Sequence, residues 1–281
     1  MLYNRQASVL IISIWVLAIL AILGTGLARA VSSEISWIGY LEKRMLSLNL
    51  AKSAVRQAIL EREKDLTPEY DSIYELQSER KRELGRGKFI YSIADEESKI
   101  NINTATPEIL IALLNITPEI AEDIYKSEFK PFSLIEEILL VEGTNPEEFS
   151  LFKDFATVYT EGKVNINTAS AEALEALGLD EELAEIIERF RKGNDAEIAT
   201  EDDRIFESVG FILSELQEFT ILSAEHSQQI ISLLSKNLLT VKSQNLCLNI
   251  QTEIDNKANK TFSIVLKQEE EEMKVARWEE R

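Results

Sequence analysis

The 281-residue chain holds one cysteine, Cys247, and one histidine, His226. A single thiol excludes an intrachain disulfide framework and a thiolate-rich metal cluster, and a single imidazole excludes a multi-histidine zinc site. Positive charge is scarce: 30 Lys and Arg stand against 49 Asp and Glu, for a formal charge of -19. Affinity for nucleic acid rests on cationic contacts to phosphate, so this balance argues against a general nucleic-acid binder. Only five prolines occur, and none precedes Pro68, so nothing of that kind breaks a helix before that point. What remains is 45% hydrophobic, enough for real cores and too much for a mostly disordered chain.

Charge is absent altogether from Ser8 to Ala28, 21 consecutive positions. As a helix this run is roughly 30 Å long, the thickness of a bilayer's hydrocarbon core. Gly24, Gly26 and Ala30 also fit the small-residue pattern of a signal-peptide cleavage site, which leaves a removed signal sequence as the alternative. The helical pattern continues past Arg29, with Ile38, Leu41, Met45, Leu48, Val55, Ala58 and Ile59 at three- and four-residue steps. One helix is expected from about Ser8 to about Lys64, apolar all round at first and amphipathic afterwards.

This N-terminus resembles that of type IV pilin-like proteins. The resemblance implies a short leader, 1–7, cut by a prepilin peptidase between Ala7 and Ser8, and N-methylation of Ser8. Two positions depart from the pilin pattern: Ala7 replaces the usual Gly before the cut, and Ile12 replaces the usual Glu at the fifth mature position. That Glu is thought to neutralise a neighbouring subunit's terminal amine in the membrane, where an unpaired charge costs several kcal/mol. A subunit lacking it fits best where no predecessor exists, at the tip of a filament. Leu10, Ile12, Leu17, Ile38, Leu41, Met45, Leu48 and Val55 are the expected contacts with partner helices.

The middle of the chain is duplicated. Lys99 to Ala105 (KININTA) recurs 64 residues later as Lys163 to Ala169 (KVNINTA), and the following apolar spacing matches with one deletion. Each copy reads as a turn and two helices, capped by Thr106 and Ser170, then by Thr117 and Asp180. Asn101, Asn103, Asn165 and Asn167 are expected to hold the turns by side-chain bonds to backbone. The units resemble helix-hairpin-helix modules, many of which bind DNA. Their interhelical loops depart from the Gly-hydrophobic-Gly hairpin, reading Asn115-Ile116-Thr117-Pro118 and Gly178-Leu179-Asp180-Glu181. Residues 95–225 also carry 31 acids against 9 bases, a net of -22, while the rest of the chain sums to +3. A DNA-binding module needs the opposite sign.

Around the repeats lie strand signals: 87–93 before them, and 238–242, 246–250, 261–266 and 273–278 after, with Glu269 to Glu272 as a turn and 228–235 as a short helix. The expected fold is α+β: a long N-terminal transmembrane pilin helix, an antiparallel pilin-like sheet, and a large inserted all-α module with two helix-hairpin-helix-like repeats. The expected division is 1–7 leader, 8–64 helix (8–28 transmembrane), 65–98 first part of the β domain, 99–225 helical insert and 226–281 the rest of the β domain. In this order of parts, with DEESKININTA and a C-terminal Arg-Trp-Glu-Glu, the chain resembles the general secretion pathway protein K family, the large minor pseudopilin of type II secretion systems. The resemblance implies an inner-membrane, single-pass protein with a periplasmic domain. Its implied partners are I- and J-type minor pseudopilins at the pseudopilus tip, the inner-membrane assembly platform and the prepilin peptidase.

No nucleophile, base and oxyanion donor assemble into a recognisable motif, so the expected protein is not an enzyme and has no cofactor and no nucleic-acid partner. Asp95, Glu97, Glu201 and Asp203 are candidate calcium ligands, since calcium takes several carboxylate oxygens and has been associated with the resembled family. The alternative is that both acidic clusters are solvated loops. Two other functions compete with a secretion pseudopilin: a membrane-tethered DNA receptor of a competence or type IV pilus system, and an unprocessed envelope protein with a docking scaffold.

Overall fold

The structure is a computed structural model that describes residues 3–65, 67–269 and 272–280, with side chains from residue 9 onward. Ala7 and Ser8 therefore lie outside the residues whose side chains are described, and so do Glu270 and Glu271 of the expected turn. A single helix, α1 (Tyr3–Arg62), runs 60 residues, roughly 90 Å. Its last third carries a buried stripe of Leu50, Ala51, Ala54, Val55 and Ala58. Spacings of three and four keep these on one face, and the three alanines let the helix lie close on its support.

That support is a five-stranded antiparallel sheet. After a short helix, α2 (Ile73–Gln77), β1 (Arg80–Leu84) and β2 (Gly87–Asp95) form a hairpin. In β2 every second residue is buried: Phe89, Tyr91 and Ile93 face α1. The chain then leaves the sheet for the helical insert. In its first half come β3 (Ile100–Asn101), α3 (Pro107–Leu114), α4 (Pro118–Tyr125), a 3-10 turn at Ile135–Leu140, α5 (Pro146–Phe152) and β4 (Ala156–Thr157). The second half follows with β5 (Val164–Asn165), α6 (Ala171–Ala176), α7 (Glu181–Arg191), a 3-10 turn at Val209–Phe211, α8 (Ile212–Phe219), α9 (Ala224–Ser235) and β6 (Leu239–Thr240). The sheet resumes with β7 (Asn245–Ile254), β8 (Lys257–Glu269) and β9 (Glu272–Glu280), in the order β1-β2-β7-β8-β9. The fold is α+β, with the insert entering after β2 and leaving before β7.

The duplication reaches further than its sequence motif. β3 pairs parallel with β4, and β5 pairs parallel with β6, so each copy opens and closes with a two-residue strand. Asn103 exchanges two hydrogen bonds with the Phe132 backbone, donating at 3.0 Å and accepting at 2.8 Å. Asn167 does the same with Phe206, both at 2.9 Å. Each copy is thus a closed unit in which the second asparagine clamps a distant phenylalanine, and both copies share one core from Ile100 to Val241.

Three expectations are corrected. Leu239–Thr240 is not an antiparallel strand of the main sheet but the parallel closing strand of the second repeat. With it α9 joins the helical core, through Ile230 and Leu233, so the returning β portion begins at β7 and not at residue 226. Thr106 stands at the N-cap of α3, but its hydroxyl makes no capping hydrogen bond. Ser170, Thr117 and Asp180 do accept the N–H groups of Ala173, Ile120 and Leu183.

Candidate assembly surface

Between Val9 and Leu41 only Arg29 and Glu34 are charged, and the large apolar side chains of this stretch are exposed. Its most apolar window is long enough to cross a membrane and has none of its residues buried. The few hydroxyls in it are satisfied within the helix: Ser13 donates to Val9 O at 2.8 Å, Thr25 to Ile22 O at 2.9 Å and Ser36 to Ser32 O at 2.9 Å. Lipid demands such internal satisfaction, because it offers no partner of its own. Further along, Trp37 stacks on Tyr40 with ring centroids 5.6 Å apart, an amphipathic pair suited to an interface.

The proposed partner-helix contacts divide along the helix. Leu10, Ile12, Leu17, Ile38, Leu41 and Met45 are exposed. Leu48 is half-buried against the chain's own sheet core, and Val55 is 7% exposed within it. Val55 is therefore corrected from a partner contact to an intrachain one. The amphipathic stripe faces the sheet, and sequence periodicity does not say what covers a stripe. At the crossover from exposed to buried, the hydroxyl of Ser47 accepts from Thr252 at 3.0 Å and from Asn259 at 2.5 Å, fastening the helix to the β7–β8 hairpin.

The far end of α1 is fixed by a buried polar joint. Arg62 grips both carboxylate oxygens of Asp71 and donates to Ser243 O at 2.8 Å. Asp71 accepts the Ser243 N–H at 2.6 Å. Asn165 donates at 3.1 Å to the Ser243 hydroxyl and at 3.0 Å to Asp95, which also accepts from Thr168 at 2.5 Å and from Glu97 N at 2.8 Å. Glu97 accepts the N–H groups of Gln244 and Asn245 and the Asn245 amide. Glu96 accepts from Thr157 at 2.6 Å and pairs with Lys99 at 2.7 Å. One continuous network therefore ties the helix, the sheet and both repeats together. Burial pushes Asp95 up and, reinforced by the Asp95 charge, lifts Glu97 to about 9.

This overturns the solvated-loop reading of Asp95 and Glu97. Their oxygens are supplied by internal donors, so they do not fit a calcium site. Glu201 accepts from Tyr74 at 3.3 Å, and Asp203 accepts the Ala199 N–H at 2.9 Å. Asp202 between them takes the N–H groups of Asn194 and Asp195, which hold it down at about 2. Among the described residues, the three carboxylates that converge are Asp65, Asp71 and Glu75, within 4.8 Å. Arg62 already pairs with the first two.

The turn asparagines also reach beyond their turns. Asn101 and Asn165 accept the N–H two residues on, at 2.8 and 3.0 Å. The amide of Asn101 goes on to Thr160 O at 2.5 Å, while that of Asn165 enters the joint. In the second repeat the buried Arg191 donates to Ile166 O and Ala169 O, and burial brings it down to about 10, still cationic at neutral pH. Of the two residue types with one copy each, buried His226 sits 3.4 Å from Asp180, and buried Cys247 lies 3.4 Å from the Ser263 hydroxyl.

Residues 95–157 match the helix-hairpin-helix motif family, a span holding the first repeat up to its closing strand. No curated protein matches the chain in sequence. A chain in the crystal structure of the GspK-GspI-GspJ complex from the enterotoxigenic Escherichia coli type 2 secretion system is similar over 88% of this chain and 98% of that one, at 15% identity and a TM-score of 0.57. The chain shares the fold of a component of that secretion complex.

Proposed function

We propose that this protein is the K-type minor pseudopilin of a type II secretion system, a non-enzymatic subunit of the tip complex that primes pseudopilus assembly. The observation that carries the proposal is α1: one half exposed and apolar, the other half locked onto an antiparallel sheet that a large helical insert interrupts. The exposed half anchors the subunit in the inner membrane and the globular part lies in the periplasm. On assembly the same apolar surface packs against the helices of I- and J-type pseudopilins, at about 25 cal/mol per Å² before ordering costs. The uncharged Ile12 and the bulky insert both suit a position with no subunit above it. The prepilin peptidase cuts between Ala7 and Ser8, and the inner-membrane platform draws the complex into the filament.

Co-expression with the I- and J-type partners tests the proposal. Leu41→Asp places a charge on the exposed face of α1 without touching the sheet core, and is expected to lower co-purification from membranes at least tenfold. An unchanged yield overturns the proposal. The helix-hairpin-helix match favours one rival, a DNA receptor. The acidity of the insert opposes it, and no duplex DNA retention is expected at physiological salt.

A further inference from the structure

A groove of about 500 Å³ lies between the two repeats, bordered by α3, α5, α6 and the start of α7. Its floor is apolar, with Leu113, Phe152 and Leu179 among its lining, and at its edge Leu151 is 76% exposed. The opposite rim is acidic: Glu172, Glu175 and Glu181 line it. Among the described residues none of these three pairs with a lysine or arginine of the insert, whose ion pairs lie elsewhere. The consequence is visible at Glu175, whose carboxyl is pushed up by burial and then by the charges of Glu181, Glu172 and Glu185, with no cation offsetting them.

Like charges crowded beside an apolar trough are unfavourable in the free chain, and a ligand that brings cations and an apolar body relieves both costs. A phosphate-bearing ligand would add to the repulsion, which rules out nucleic acid at this rim. We propose that the groove docks a partner protein through a short segment whose apolar side chains are flanked by Lys or Arg. The apolar side chains lie against Leu113, Leu151 and Leu179, and the cations reach Glu172, Glu175 and Glu181. None of these residues belongs to α1 or the sheet, so the groove is free while the helix is engaged, and the proposal stands independently of the assembly function above.

The test uses the full-length chain in non-ionic detergent and fluorescence anisotropy with three labelled 12-residue peptides. One has a Leu-Phe centre flanked by four lysines, and the others carry glutamine or glutamate in place of lysine. The lysine peptide is expected to bind at least tenfold more tightly than the glutamine peptide, and the glutamate peptide not at all. Combined Glu172→Gln, Glu175→Gln and Glu181→Gln should weaken the lysine peptide about tenfold, and Leu151→Ser several-fold. Both variants alter side chains at the rim and leave the buried core intact. Combined Glu197→Gln, Glu207→Gln and Glu218→Gln, exposed elsewhere on the insert, should change nothing. Equal weakening by this control set would reduce the effect to general attraction between opposite charges and overturn the proposal. Equal binding of all three peptides, or no binding of the lysine peptide, also overturns it.

Discussion

Replacing Asn167 by Ala removes the clamp that closes the second repeat, and the structure sets the size of the loss. Asn167 and Phe206 are 3% and 0% exposed, and the amide satisfies both the N–H and the C=O of Phe206. No solvent reaches these groups, so both are left unpaired, at about 1–3 kcal/mol each, or roughly 2–6 kcal/mol together. The Phe206 ring, stacked on Phe190 at 4.4 Å, loses the backbone anchor that positions it. The equivalent Asn103→Ala removes an identical pair of bonds at Phe132, but Asn103 is only half-buried. Water can replace that amide, and the expected cost is about 1–2 kcal/mol. Native-state hydrogen exchange reads both, since the amides of Phe206 and Phe132 are themselves the clamped donors. At tenfold per 1.4 kcal/mol, Phe206 should exchange about a hundredfold faster in Asn167→Ala, and Phe132 about tenfold faster in Asn103→Ala. The reasoning is refuted if the first repeat suffers as much as the second, or if Phe206 stays within threefold of wild type.

The polar joint gives two more expectations. Because Glu97 is raised from 4.5 to about 9 in the folded chain, its contribution to stability is complete below pH about 4.5 and is lost as pH rises through about 9. Protection of the Asn245 amide, which donates to Glu97, should therefore fall between pH 7 and 9 beyond the intrinsic rate change, and Glu97→Gln should flatten that dependence; constant wild-type protection contradicts it. Asp71 has a fully buried side chain gripped by Arg62, so Asp71→Ala should cost about 3–5 kcal/mol in chemical denaturation, by removing one of the two carboxylates paired with the guanidinium and leaving the buried Ser243 N–H without its acceptor. Combined Arg62→Met and Asp71→Leu should cost clearly less than the sum of the two single losses, and strictly additive losses contradict the pairing.

The sequence made local patterns legible and left tertiary partners hidden. The apolar run, the KININTA duplication, the β2 alternation and the caps at Thr117, Ser170 and Asp180 each depend on neighbours a few residues away. The full extent of each repeat was not visible, because β4 and β6 are two residues long and carry no period. The one available signal was a pair of phenylalanines each placed ahead of an apolar-rich segment, Phe132 before SLIEEIL and Phe206 before ESVGFIL. Asp95-Glu96-Glu97 read as solvent-facing because three consecutive acids usually are. Their burial is set by Asn165, Thr157 and Asn245, which lie 60 or more residues away. The stripe of α1 was legible, but Val55 shows that its occupant is the chain's own sheet.

The most direct test of the account is the N-terminal sequence and mass of the protein extracted from native membranes. A chain beginning at Ser8 and carrying one N-terminal methyl group is the expected result, since the apolar helix must survive processing to act as an assembly rod. A soluble periplasmic chain beginning beyond Ala30 would contradict it.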